Sequence, residues 1–254
     1  MMQDGFFNSA PLWLIVPCIF GALVLVAWIG TIVRGHLRPD PHDDASEGYL
    51  LSAALALLGL LIGFTFSMAL NRYDTRREML VQEANSIGTA WLRAGLAEGE
   101  PGEALRRSMH DYGVIRLDLA RSPNPDAVED NTGKTQVQLW QRVRTAIATM
   151  QPPLAATLVT ATTEMFDAAS SRRWEREARI PALVLDILIV SALISAGIVG
   201  YVLGGSGRRH ALVTGLLFAL LSLAITLILD LDRPWTGLVT ISQVPMESAV
   251  AAMH

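Results

Sequence analysis

Four long runs of apolar residues alternate with polar segments along the chain. They cover residues from about 12–33, 50–70, 180–203 and 211–229. A helix needs roughly 20 apolar residues to cross about 30 Å of hydrocarbon, and in lipid only helices and closed barrels satisfy every backbone polar group. The pattern therefore predicts an all-α integral membrane protein with four transmembrane helices.

The polar segment between the second and third runs keeps helical spacing. Leu80, Ala84, Ile87 and Trp91 form the stripe of an amphipathic helix. No glycine or proline separates this stripe from the second run, so we predict one helix that leaves the membrane and continues to about Leu96. Three further stripes predict three more helices: Leu105, Met109, Tyr112 and Leu119; Val137, Trp140, Ile147 and Met150; and Leu154, Leu158, Ala161 and Met165.

These elements predict a helical cytosolic domain inserted between the second and third transmembrane helices. The first transmembrane hairpin takes residues 1–70, the domain 71–179, the second hairpin 180–229 and a C-terminal cytosolic tail 230–254.

Arginines near the span ends predict the orientation, because cytoplasmic loops are rich in Lys and Arg. The side with the domain and both termini carries Arg72, Arg76, Arg77, Arg172, Arg173, Arg176, Arg179 and Arg233, and the other side carries Arg34, Arg38, Arg208 and Arg209. This bias predicts that the domain and both termini lie in the cytoplasm. Because Lys134 is the single lysine among the basic residues, the composition indicates a bacterial genome, and we predict a multi-pass protein of the bacterial inner membrane.

Composition agrees with a membrane protein and argues against several other classes. Of the 254 residues, 51% are hydrophobic and 17% charged, whereas a soluble domain carries about 25% charged residues. A net charge of −4 without a basic stripe argues against nucleic-acid binding. The single cysteine, Cys18, can form neither an intramolecular disulfide nor a cysteine-based metal site. No catalytic set is apparent, so we expect no enzyme, cofactor or metal.

Small residues recur at four-residue spacing in three of the apolar runs. They are Gly59 and Gly63; Ala192, Ala196 and Gly200; and Ala211, Gly215 and Ala219. Small residues let helices approach closely in lipid. Packing within the chain, a subunit interface and a narrow pore wall all agree with this pattern.

An acidic residue, Asp186, lies about two turns inside the third run. An intramembrane carboxylate is costly and by default has a partner or contacts water. Structural pairing, for example with Arg179, and a role in an ion pathway are both open.

Charged residues cluster where the second and fourth runs end. They are Arg72, Asp74 and Arg76 after the second run, and Asp230, Asp232 and Arg233 after the fourth. We predict that Asp230 or Asp232 pairs with Arg72 or Arg76, and that Arg233 pairs with Asp74 or Glu78. The alternative is two solvated clusters, because many surface ion pairs contribute nothing measurable.

Two stretches of the sequence carry a family pattern. They are residues 63–74 (GFTFSMALNRYD), followed by Arg76, Arg77 and residues 83–93 (EANSIGTAWLR), and residues 229–237 (LDLDRPWTG). Together they resemble the bacterial bestrophin-like membrane family, whose function is largely unassigned. Asp167, Arg172 and the Ile180-Pro181 step also fit, so the resemblance covers most of the chain from the second run onward.

The family name implies kinship with bestrophins, which are oligomeric anion channels with four spans and a helical cytosolic part. The resemblance therefore implies a homo-oligomeric ion channel that favours anions, with the bilayer and small ions as partners. In this hypothesis the second run lines the pore, and the candidates are Gly59, Gly63, Phe66, Ser67 and Asn71. Gly63 and Phe66 would form a constriction that gates by dewetting. The alternative is a non-conducting scaffold or sensor whose cytosolic helices bind a partner protein.

Overall fold

A computed structural model describes residues 11–37, 44–119, 122, 125–204, 211–233 and 237–253. These residues form eight α-helices: α1 (Leu12–Leu37), α2 (Asp44–Ala94), α3 (Gly99–Asp118), α4 (Pro125–Ile147), α5 (Pro152–Glu177), α6 (Ala182–Leu203), α7 (Ala211–Asp232) and α8 (Val244–Ala251). Arg38, Arg208 and Arg209, which entered the orientation argument, lie outside the described residues.

The described residues group into two compact units. One, here the membrane unit, contains the chain up to Tyr73 together with Arg179–Val239. The other, here the polar unit, contains Asp74–Ala178 and the chain from Thr240 onward. The long helix α2 contributes its first part to the membrane unit and its second part to the polar unit.

The membrane unit contains α1, the first part of α2, α6 and α7. Four helices of the described chain are long and apolar enough to cross a membrane, which confirms the four predicted spans. Their buried side chains, among them Leu23, Leu58, Leu188 and Phe218, form one apolar cluster. Burial of such side chains cannot rely on the hydrophobic effect in lipid, so close packing must hold the helices together.

Glycines set the spacing between α1 and α6. A Cβ atom on Gly200 would lie 1.9 Å from the Ala27 carbonyl oxygen, and one on Gly30 would lie 2.3 Å from that of Gly197. Ala192, Ala196 and Gly200 are all buried. This small-residue stripe therefore serves packing within the chain.

The polar unit contains the second part of α2 together with α3, α4, α5 and α8. The predicted stripes are confirmed as helices, and Ile87, Leu105, Leu139 and Leu158 meet in its core. The helix α2 ends at Ala94, close to the predicted end at Leu96. The sequence predicts a C-terminal tail over residues 230–254, but within it Val244–Ala251 forms α8.

The helix α8 belongs to the core of the polar unit. Met246 and Met253 from this segment are 0% and 5% exposed and join the same apolar cluster. An eight-residue helix is too short to show a clear apolar period. Its burial therefore depends on packing rather than on local pattern.

Candidate functional site

The second span presents an uncovered face along the membrane unit. Gly59, Gly63, Ser67 and Asn71 are all exposed and recur every four residues, which places them on one side of α2. A Cβ atom on Gly59 or Gly63 would meet nothing within 4 Å. Four of the five candidate pore residues therefore lie together on this face, here called the α2 face.

Phe66, the fifth candidate, is only partly exposed, although it comes seven residues after Gly59 and so lies near Gly59 around the helix. Its ring is half-buried and packs against the apolar cluster of the membrane unit. Phe64 instead is 64% exposed, and at seven residues before Asn71 it shares the α2 face. Phe64 is therefore exposed near Ser67 and Asn71, whereas the apolar cluster of the membrane unit partly covers Phe66.

In the polar unit the exposed side of α2 remains polar. Asp74, Glu78, Gln82 and Asn85 are exposed there. They line an open groove of about 840 Å³ together with Glu164 of α5. Arg77 is the basic residue among the groove's described lining, against the carboxylates of Asp74, Glu78 and Glu164.

The aspartates at the end of α7 are buried and bind backbone N–H groups. Asp230 accepts hydrogen bonds from the N–H groups of Leu238 at 2.8 Å and Val239 at 3.0 Å. Asp232 accepts one from the N–H of Ile180 at 2.9 Å. Asp230 and Asp232 are 2% and 6% exposed. These bonds hold the end of α7 to the segments that precede α6 and follow α7.

Two arginines of the same charge cluster, Arg76 and Arg233, are also buried. Arg76 is 5% exposed and donates to the carbonyl of Ala178 at 2.9 Å, near the end of α5. Arg233 is 6% exposed, whereas Asp74 is exposed and Arg72 half-buried. The predicted ion pairs of Arg72, Arg76 and Arg233 remain predictions.

Asp186 lies on the outside of the membrane unit. It is exposed on α6, where Leu183, Ile187 and Val190 share its exposed side. Within the described residues it forms no hydrogen bond or ion pair. The structure therefore leaves this intramembrane carboxylate uncovered in a single chain.

A buried charge network in the polar unit escaped the sequence analysis. Glu83 of α2 is 0% exposed and binds two arginines, Arg116 of α3 and Arg172 of α5. The distance from Arg172 Nη1 to Glu83 Oε2 is 2.6 Å. Glu83 and Arg116 occupy positions on the apolar stripes of their helices. A charged residue at such a position indicates a buried charge, and the sequence could have revealed the network in this way.

Glu129 of α4 extends this network. Its carboxylate binds Arg116 Nη1 at 2.9 Å and Arg176 Nη2 at 2.6 Å. Arg116 thereby bridges Glu83 and Glu129, so the network joins α2, α3, α4 and α5. Buried charges of this kind need full pairing, because removing one partner leaves the other desolvated.

Burial and pairing shift the ionisation of these groups in opposite directions. Burial raises the pKa of the Glu129 carboxyl, but Arg116 and Arg176 outweigh burial and hold that pKa below its ordinary value. Burial lowers the pKa of Arg172, which Glu83 partly offsets. Burial also raises the pKa of Tyr112 to about 12, while Gln136 donates a hydrogen bond to its hydroxyl. The lowered pKa of Glu129 favours the charged form of this carboxylate near neutral pH.

Four apolar spans, a second span that continues into a helical polar unit and an uncovered polar face define an all-helical membrane protein. The bestrophin-like domain family matches residues 18–246 of this chain. The chain therefore belongs to the bestrophin-like family, which confirms the resemblance seen in its motifs. No curated protein shows a significant match to the sequence.

Solved structures share this fold. A crystal structure of a bacterial bestrophin homologue from Klebsiella pneumoniae, a tyrosine-to-alanine variant, matches with a TM-score of 0.68 at 12% identity and covers 94% of this chain and 96% of its own. An aspartate-to-alanine variant of that homologue also gives 0.68, at 13% identity, covering 96% and 99%. At these identities the likeness shows a common fold.

Proposed function

We propose that the protein is a homo-oligomeric ion channel whose pore is lined by the α2 face. In this proposal the protein lies in the bacterial inner membrane, with the polar unit and both termini in the cytoplasm. Membership of the bestrophin-like family and the fold shared with bacterial bestrophin homologues support it.

The observation that carries the proposal is the polar part of the α2 face. Ser67 and Asn71 are exposed on a membrane helix, although polar groups in a span usually face the bundle interior or a water-filled cavity. Gly59 and Gly63 leave the same face without side-chain bulk. A ring of copies that turns this face inward would enclose an aqueous path, with the exposed Phe64 as its apolar constriction.

The charged residues of α2 beyond the span influence whether the conducted ion is a cation or an anion. Asp74, Glu78 and Glu164 line the groove that follows the α2 face, and Arg77 opposes them. Rings of Asp and Glu select cations. The groove therefore favours cations, whereas the resemblance implies anions.

Cysteine accessibility in liposomes tests the proposal. In a Cys18→Ser background, Ser67→Cys should give an ion flux that a water-soluble thiol reagent changes at least several-fold. Leu227→Cys, an exposed position on α7, should give a flux that the reagent does not alter. Absence of flux from folded, unsubstituted protein would contradict the channel. If flux is present, reversal potentials in a salt gradient would show whether the channel selects cations or anions.

One observation favours the alternative of a non-conducting scaffold. Leu92, Val137 and Trp174 of the polar unit are 67%, 62% and 70% exposed, and exposed apolar side chains supply anchors for a protein partner. If these residues serve only partner binding, Leu92→Ser and Trp174→Ser should abolish capture of that partner and leave liposome flux at zero in every variant.

A further inference from the structure

The carboxylate of Asp186 lies at the depth of the hydrocarbon. Asp186 is the fifth residue of α6, which has 22 residues. If the hydrocarbon began only beyond Asp186, the remaining turns would span about 25 Å at 1.5 Å per residue, less than the roughly 30 Å that a span must cover. The side chain is too short to reach bulk water easily, so lipid is a costly neighbour for it.

The described residues on the exposed side of α6 give the Asp186 carboxylate no hydrogen-bond donor within its own chain. Leu183, Ile187 and Val190 surround it with apolar surface, each 48% exposed or more. Among the described residues no donor reaches Asp186. A second copy of the chain can supply a polar surface that covers it.

The α2 face has polar groups at the matching depth. Ser67 lies five residues before Arg72, where the charged residues of α2 begin, so it is roughly 7 Å inside the membrane edge. Asp186 is roughly 6 Å inside the first residue of α6. Both segments reach the membrane edge on the side of the polar unit. The serine hydroxyl can donate a hydrogen bond that a carboxylate accepts.

We propose that Asp186 of one copy contacts Ser67 of the next copy. The contact joins two different surfaces, α6 of one subunit and α2 of its neighbour, so it is heterologous, and repeated contacts form a ring when the rotation between copies closes. The proposal rests on the proposed function, because it assumes that several copies surround a path lined by α2. At this depth the wall of that path is incomplete without the neighbouring subunit.

Disulfide trapping between copies tests the contact. Two differently tagged chains are co-expressed in the Cys18→Ser background, one with Asp186→Cys and the other with Ser67→Cys. Mild oxidation should link them into a product that carries both tags, because a disulfide requires Cα atoms about 4.4–6.8 Å apart. Leu227→Cys replaces Asp186→Cys in the control, because it is exposed on α7 at a similar depth. The control should give at least tenfold less product.

A conservative series gives a second measurement. Asp186→Asn, which still hydrogen-bonds, should keep the assembly intact in detergent, whereas Asp186→Leu should dissociate it at a several-fold lower detergent concentration. An intact assembly without the 186–67 product, or equal products from both pairs, would overturn the contact. So would unchanged dissociation of Asp186→Leu. A liposome flux without the product overturns the contact alone, and the product without flux overturns the channel alone.

Discussion

Glu83 Oε2 accepts a hydrogen bond from Arg172 Nη1 at 2.6 Å, and the two side chains are 0% and 8% exposed. This pair joins the polar part of α2 to α5 across the core of the polar unit. It links two residues 89 positions apart in the sequence, and so two helices that are distant in the chain.

Removing Glu83 should be strongly destabilising. Glu83→Ala leaves Arg116 and Arg172 buried without a carboxylate, and breaking a buried pair costs about 3–5 kcal/mol. Thermal unfolding of the detergent-solubilised protein measures the change. Glu177→Ala is the control, because its pair with Arg173 is exposed at 3.1 Å and is worth about 0.3–0.5 kcal/mol. Equal melting shifts for the two variants would contradict a structural role of the network.

Acid should weaken the same network through Glu129. Its folded pKa is lowered by Arg116 and Arg176, so its contribution is present above the unfolded pKa and disappears as pH falls through the folded value. The free energy of unfolding should therefore decline below the ordinary pKa of 4.5. Glu129→Gln should be less stable at pH 7 and lose less on acidification. A variant with the acid dependence of the unsubstituted protein would assign that dependence elsewhere.

A side chain at Gly200 should disrupt the crossing of α1 and α6. The added Cβ would lie 1.9 Å from the carbonyl oxygen of Ala27, so backbone must shift. Gly200→Ala should cost about 1–3 kcal/mol, the range for overpacking. Gly215→Ala should be nearly silent, because a Cβ there meets nothing within 4 Å. The melting temperatures of the two variants in detergent are compared. An unchanged melting temperature for Gly200→Ala would show that α1 and α6 can move apart without loss of stability.

The buried aspartate at the end of α7 should also be sensitive. Asp230→Ala leaves the N–H groups of Leu238 and Val239 without their acceptor, at about 1–3 kcal/mol for each unsatisfied group. Asp230→Asn retains one acceptor oxygen and should recover part of the loss. Asp167→Ala, at an exposed position of α5, is the control in the same melting assay. An Asp230→Ala variant that melts like the control would mean that water replaces these bonds.

Orientation can be tested with single cysteines in a Cys18→Ser background. Thr163 is exposed on the polar unit and His36 is exposed at the end of α1. If the polar unit is cytoplasmic, an impermeant thiol reagent added to intact cells should label His36→Cys, and Thr163→Cys only after permeabilisation. The arginine bias is the physical reason. The opposite labelling pattern would reverse the orientation.

The apolar runs predicted the spans well because lipid imposes a simple rule on length and polarity. The unbroken stripe from Leu80 to Trp91 likewise predicted that α2 continues beyond the membrane. The sequence pattern could not decide between Phe64 and Phe66. Residues two positions apart in the sequence lie about 200° apart around a helix, and only packing shows which of the two is covered. Glu83 and Arg116 were missed for a related reason, since their partners come from other helices.

The core of the polar unit contains four methionines, and one of them, Met246, lies in the short helix α8. Met246 and Met253 lie in the same apolar cluster as Met109 and Met165, and all four are at most 5% exposed. A thioether that becomes a sulfoxide turns polar and no longer fits such a cluster. Met246 lies within α8 and is 0% exposed, so the rate at which peroxide oxidises this methionine reports how often the C-terminal helix leaves the core.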